Sequence, residues 1–136
     1  MPPRKRRIEE VLVLREPTFS PEQRRQFERG IALFNDAKHW HAHEAWEAAW
    51  RLMGNESDDD AEMFLRALIQ IASAIHLKRI GRYAGARNQL EKAMHKLRLA
   101  PAWFMGIDTV GARIFAEHQH RNFEKTYSFV LVFRGF

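Results

Sequence analysis

Apolar residues recur with helical spacing through most of the chain, and the breaks between them predict five helices. Ser20-Pro21-Glu22-Gln23 opens the first. Ser20 is placed to cap it, Pro21 suits the first helical position, and Gln23 completes a capping box. Phe27, Ile31 and Phe34 form its apolar stripe, so the helix is expected from Pro21 to about Ala37. A second helix covers about Trp40 to Met53 and is ended by Gly54-Asn55, both of which tolerate a left-handed cap. The acidic stretch Glu56 to Asp60 then leads into a third, about Ala61 to Ile80, its aspartates suited to a helix N-terminus. Met63, Phe64, Leu65, Leu68, Ile69, Ile71, Ile75 and Leu77 make this helix apolar almost all round. Such a helix belongs at the centre of a bundle. Glu62, Arg66, Gln70 and Ser73 form its polar stripe, with His76 about a third of a turn from Gln70. Gly81 closes it. A fourth helix, Tyr83 to Leu97, turns Ala86, Leu90, Ala93 and Leu97 inward. Pro101 begins a loop through Gly106, and Asp108 is placed to cap a fifth helix, Thr109 to Arg121.

The fold class is therefore all-α, a small antiparallel bundle of about five helices. Residues 1–19 read as a basic, extended or disordered arm, residues 20–121 as the bundle domain, and residues 122–136 as an apolar tail. VLVL within Ile8–Arg15 and the closing YSFVLVFRGF are β-branched and aromatic, and a short pairing between them is the one strand expectation. Trp40 and Tyr83 stand 43 residues apart, as do His43 and Ala86, which suggests two stacked helical hairpins.

Composition narrows the setting. A chain of 136 residues, 46% hydrophobic and 12% aromatic, fits one folded domain. No apolar run approaches the roughly 18 residues of a membrane span, and MPPRKRRIEE is followed by no apolar signal core. There are no cysteines, which removes disulfides, thiolate zinc sites and cysteine nucleophiles and fits a reducing, cytoplasmic setting. The net charge of +5 raises the question of nucleic acid. Arg4, Lys5, Arg6 and Arg7 offer weak, sequence-independent contact. Arg79, Arg82, Arg87, Lys92, Lys96 and Arg98 form a basic flank with one aromatic, Tyr83, too few for a stacking platform.

Candidate chemistry concentrates in Phe34 to Trp50, FNDAKHWHAHEAWEAAW. On a helix His39, His43, Glu47 and Trp50 share a face, with Trp46 beside them and His41, Ala45 and Ala48 opposite. His39, His43, Glu47 and His76 are the candidate metal ligands, but no metal is expected. HEAWE is not HExxH, and no Glu-x-x-His pair supports a di-metal bundle. Two further accounts use the same residues. One is a buried polar network in which His43 and Glu47 meet Arg66, Gln70 and Ser73 across the helix interface. The other is a small-ligand site with tryptophan walls. His39 and His41 are read as surface residues and Trp46 as core. No nucleophile elbow, phosphate loop or dinucleotide fingerprint is present, so no catalytic residue and no cofactor is assigned. The functional expectation is a bundle binding a small ligand or a partner, a second copy of itself among the possibilities. Acid/base or metal-assisted hydrolysis through His43 and Glu47, with Arg66 on an anion, is the alternative, and nucleic-acid accessory binding through the arm is the second.

The run FN-x4-W-x2-HE-x-WE-x2-W followed by RALIQIASAIHLKRIGRYAGARNQLEKAMHKL resembles the domain-of-unknown-function family 309. Phe34, Asn35, Trp40, His43, Glu44, Trp50, Leu68, Ile69, Gln70, His76, Gly85 and Ala86 carry the resemblance, which spans about Phe27 to Leu97. It implies a small all-α bundle and a location rather than a reaction, and it adds Asn35 and Glu44 to the candidate site. The site residues are then Asn35, Trp40, His43, Glu44, Glu47, Trp50, Arg66, Gln70 and His76. The basic arm and the VLVF tail lie outside the resemblance.

Overall fold

The computed structural model describes residues 16–53, 59–122 and 129–136. Five helices follow in order: α1 (Pro21–Asn35), α2 (His39–Arg51), α3 (Asp59–Arg79), α4 (Tyr83–Arg98) and α5 (Thr109–Arg121). A two-stranded antiparallel pair, β1 (Trp103–Phe104) and β2 (Ile107–Asp108), stands between the last two. α3 packs between α2 and α4, with α1 against α2 and α5 against α4. The helix read as central from its apolar pattern is therefore central, and the fold is an all-α bundle. Among the described residues no helix is long and apolar enough to cross a membrane.

The core follows the stripes. α1 buries Phe27, Ile31 and Phe34, and α4 buries Ala86, Leu90, Ala93 and Leu97. α3 buries Phe64, Leu65, Leu68, Ile71 and Ile75, with Ala67, Ala72 and Ala74 letting its neighbours approach. Ile69 is only half-buried. The N-terminal caps form as the side chains dictate. Ser20 Oγ accepts from Gln23 N at 3.2 Å while Gln23 Oε1 accepts from Ser20 N at 2.8 Å, and Asp108 accepts from Gly111 N at 3.0 Å.

α1 stops two residues before Ala37, which the sequence includes in the helix. Ala37 takes φ 60°, and Lys38 N then donates to Leu33 O at 2.9 Å, the closing bond of a left-handed helix cap. Gly81, at φ 80°, does the same after α3 through Arg82 N and Leu77 O at 2.8 Å. α1–α2 and α3–α4 are thus two helical hairpins with matching turns, one residue further apart than the spacing of Trp40 and Tyr83.

Two regions depart from the sequence reading. The stretch read as a loop through Gly106 is a hairpin, with Trp103 opposite Asp108 and Phe104 opposite Ile107. Its turn, Met105-Gly106, has both residues left-handed, at φ 52° and 74°. Asn-Gly or Asp-Gly is the usual signal for such a turn, and methionine in the first place conceals it. The second departure is the tail. Its backbone meets β2, with Asp108 N donating to Val132 O at 3.0 Å, Arg134 N to Gly106 O at 2.8 Å, and Phe133 paired with Ile107. The proposed partner VLVL, the basic tetrad Arg4–Arg7 and the Gly54-Asn55 stop signal lie outside the described residues. The tail also packs over α1 and α5. Leu131 is buried, Phe136 meets Phe19 and Phe27 edge-on at 5.6 and 5.7 Å, and Phe129 stacks on Phe115 at 4.3 Å.

The burial pattern separates two neighbours on α3. Leu68→Ala should destabilise the protein by about 2–5 kcal/mol, and Ile69→Ala by less than about half as much. Denaturant unfolding checks this, and equal losses would contradict the rotation of α3.

Candidate functional site

Trp46 sets the rotation of α2. Its indole N–H donates to Phe27 O at 3.1 Å, and its ring lies so close to Gly30 that a Cβ there would come within 2.2 Å of Nε1. With Trp46 inward, Ala42, Ala45 and Ala49 face inward too. The sequence puts Ala45 on the outer face, but it is 3% exposed because α1 and α3 flank α2 on two sides. His39 is corrected in the same way. Read as a surface residue, it is 8% exposed and sits edge-on to Phe34 at 4.9 Å. His41 is exposed as read and pairs with Glu44 at 3.5 Å, so Glu44 belongs to the solvent side and not to the cluster.

The outward shoulder of α2 and the polar stripe of α3 enclose a groove of about 210 Å³. It is lined by His43, Glu47, Trp50, Arg66, Ile69, Gln70, Ser73 and Gln89. The two stripes do meet, but as an open hollow and not as a buried ion-pair network. Glu47 Oε1 takes His43 Nε2 at 3.1 Å and its other oxygen takes Arg51 at 3.3 Å. Arg66 pairs along its own helix with Glu62 at 3.8 Å and stands over the Trp50 ring at 5.6 Å. The sequence-based pairing of Glu47 with Arg66 gives way to these same-helix pairs, which need no register between helices. Lys96 from α4 donates to Gln70 Oε1 at 3.0 Å, and its pKa is lowered by burial and by the nearby Arg66 and Lys92. That lysine, read as part of the basic flank, thus bonds to a residue that lines the groove. Trp40 covers the groove's end, half-exposed, stacked on His43 at 4.9 Å and tilted against His76 at 4.8 Å.

Asn35 does neither job. Its Oδ1 accepts from Leu131 N at 2.8 Å and its Nδ2 donates to Leu131 O at 3.2 Å, so it pins the tail as a neighbouring strand would. Of the nine site residues, then, His43, Glu47, Trp50, Arg66 and Gln70 line one groove, Trp40 and His76 adjoin it, and Asn35 and Glu44 stand apart. Among the described residues no three carboxylates or histidines are gathered to hold a metal ion, so His39, His43, Glu47 and His76 are not brought together as ligands. Gln89 is a member that sequence reasoning missed, being one polar residue on a largely polar helix face.

A second cavity, of about 340 Å³, opens on the other side of α2 between α1, α3, α5 and the tail. Phe34, Ile75, Phe115 and Phe129 give it apolar walls, and His39, Arg79 and Gln119 are among its polar lining. Gln119 is fully buried, and Lys78 Nζ donates to its Oε1 at 2.6 Å. Burial lowers the Lys78 pKa. Burial first, then Arg79 and His76, lower His39 from 6.5 to about 4, so its imidazole is neutral near pH 7. The sequence signal for Gln119 is a polar residue four after Phe115 and three after Ala116, squarely on the buried stripe of α5.

A family model described as Domain of unknown function (DUF309) matches residues 27–89. No curated protein matches the chain. Every lining residue of the groove falls inside the matched stretch. The second cavity takes Phe115, Gln119, Phe129 and Val130 from outside it.

His39 yields a pH dependence. Below about pH 6.5 the unfolded chain protonates this histidine, whereas the folded chain does so only near pH 4. The unfolded state then binds more protons, so stability falls as the pH drops through this window and is regained above it. The loss attributable to His39 is at most about 3 kcal/mol. Unfolding free energies of wild type and His39→Gln between those pH values check this: the variant's profile should be flatter, and parallel profiles would contradict the burial of a neutral imidazole.

Proposed function

We propose, for a chain whose residues 27–89 belong to the DUF309 family, that the groove between α2 and α3 binds a small polar ligand bearing charge of both signs. On this reading the protein is a binding bundle and not a catalyst. The observation that carries it is the lining itself. Glu47 from α2 and Arg66 from α3 border one hollow, and among the described residues each makes its ion pairs along its own helix, with Arg66 also over the Trp50 ring of α2. Half-exposed pairs of this kind are weak and exchange readily for a ligand. Trp50 supplies a flat apolar wall, and Lys96 behind Gln70 adds positive charge on the α3 side. A volume near 210 Å³ suits a molecule of amino-acid size.

The hydrolytic reading has one observation in its favour, the His43–Glu47 bond at 3.1 Å with Ser73 lining the same groove. The ring's disposition counts against it. Nε2 is already taken by the Glu47 carboxylate one turn along the same helix and so is not turned to a substrate. A general base must reach the proton it abstracts.

The test is titration with 4-aminobutyrate, butyrate and butylamine, followed through the Trp50 indole resonance. The zwitterion should bind at least about tenfold more tightly than either singly charged probe, or about 1.4 kcal/mol. Glu47→Gln and Arg66→Met should each remove that advantage while losing less than about 1 kcal/mol of stability. An indole resonance unmoved by all three probes, or equal affinities, would overturn the proposal.

A further inference from the structure

The cavity beneath the tail is separate from the groove, and its polar groups have a definite chemical sense. Lysine is only a donor, so the amide end of Gln119 that receives Lys78 must be the oxygen. The other end, Nε2, is then an N–H donor. It is fully buried and has no hydrogen-bond partner among the described residues. His39 Nδ1 is in the same condition on a second wall. A buried polar group left unsatisfied is unfavourable enough that folded proteins rarely keep one without a reason, and here two belong to residues that line one cavity of about 340 Å³. Arg79 stands at the edge, exposed, with one guanidinium nitrogen donating to Ala37 O at 2.9 Å and further donors left over. Asn35 is committed at both ends to Leu131. Among the described residues no carboxylate lines the cavity, and Phe34, Ile75, Phe115 and Phe129 are among its remaining walls.

We propose that this cavity is a binding site for a small organic carboxylate with an apolar body. The carboxylate accepts from Gln119 Nε2 and from the Arg79 guanidinium, and His39 Nδ1 completes its surroundings as a neutral donor. The apolar body lies among Phe34, Phe115 and Phe129. Lys78, bonded to the amide oxygen, polarises the amide and makes Nε2 a stronger donor. The family match supplies Phe34, His39, Ile75 and Arg79, whereas Phe115, Gln119 and Phe129 lie beyond it. The choice of ligand therefore belongs to the C-terminal third of this chain.

Calorimetric titration of the full chain near pH 7 with benzoate, hexanoate, benzylamine and inorganic phosphate tests this. Benzoate or hexanoate should bind with a dissociation constant below about 1 mM, and benzylamine and phosphate at least tenfold more weakly. Gln119→Glu keeps the side chain's shape and its bond to Lys78 but replaces the donor with an acceptor. It should stay folded and lose carboxylate binding by at least tenfold. Arg79→Met, at an exposed position, should weaken binding about as much, and Arg79→Lys should retain most of it. Benzylamine or phosphate matching the carboxylates, no binding by either carboxylate, or unchanged affinity in Gln119→Glu and Arg79→Met would each overturn the proposal.

Discussion

Trp46 against Gly30 is the contact on which the remaining geometry hangs. The indole occupies the space a Cβ would fill on α1, and its N–H reaches the Phe27 carbonyl, a helix backbone group. A tryptophan buried this way satisfies its one polar atom while filling a large volume. It also locks the angle at which α2 leans on α1. Successive helix positions differ by about 100°, so fixing Trp46 fixes the direction of every other side chain on α2.

That rotation divides the polar residues of α2 between two environments. His39 is carried under Phe34 and toward α5, where burial keeps it neutral. His43 and Glu47 emerge on the shoulder that meets α3, half-covered and bonded to each other. One helix therefore borders two hollows, the groove on one flank and the cavity on the other. The tail completes the second, and Asn35 grips Leu131 there through both amide atoms. Aromatic contacts along Phe19, Phe27, Phe133 and Phe136 continue that attachment across α1.

Much of the bundle is legible in the sequence because its signals are local. The capping box at Ser20, the cap at Asp108, the left-handed Gly81 and the all-round apolar α3 each depend on residues within a turn or two. The groove was partly legible for the same reason: His43 with Glu47 and Arg66 with Gln70 are one-turn spacings on adjacent helices. What escaped depends on distant chain. His39 lies one turn from His43 and looks equally exposed until Phe34 covers it. Asn35 reads as a site residue from the family resemblance, yet its partner is Leu131, far along the chain. The Met105-Gly106 turn lacks the residues that usually announce a hairpin, and Gln119 is conspicuous only once α5 is known to be buried along that stripe.

The central claim is that the Trp46–Gly30 contact sets the orientation of α2, and a double-mutant cycle tests it most directly. In an ordinary helix interior Gly→Ala stabilises by roughly 0.5–1 kcal/mol. Here Gly30→Ala should instead destabilise by about 1–3 kcal/mol, because the indole must be displaced. In a Trp46→Leu background the same change should revert to neutral or stabilising, leaving a coupling well above the roughly 0.5 kcal/mol expected of independent sites. A stabilising Gly30→Ala in the wild-type background, or equal effects in both, would contradict the account.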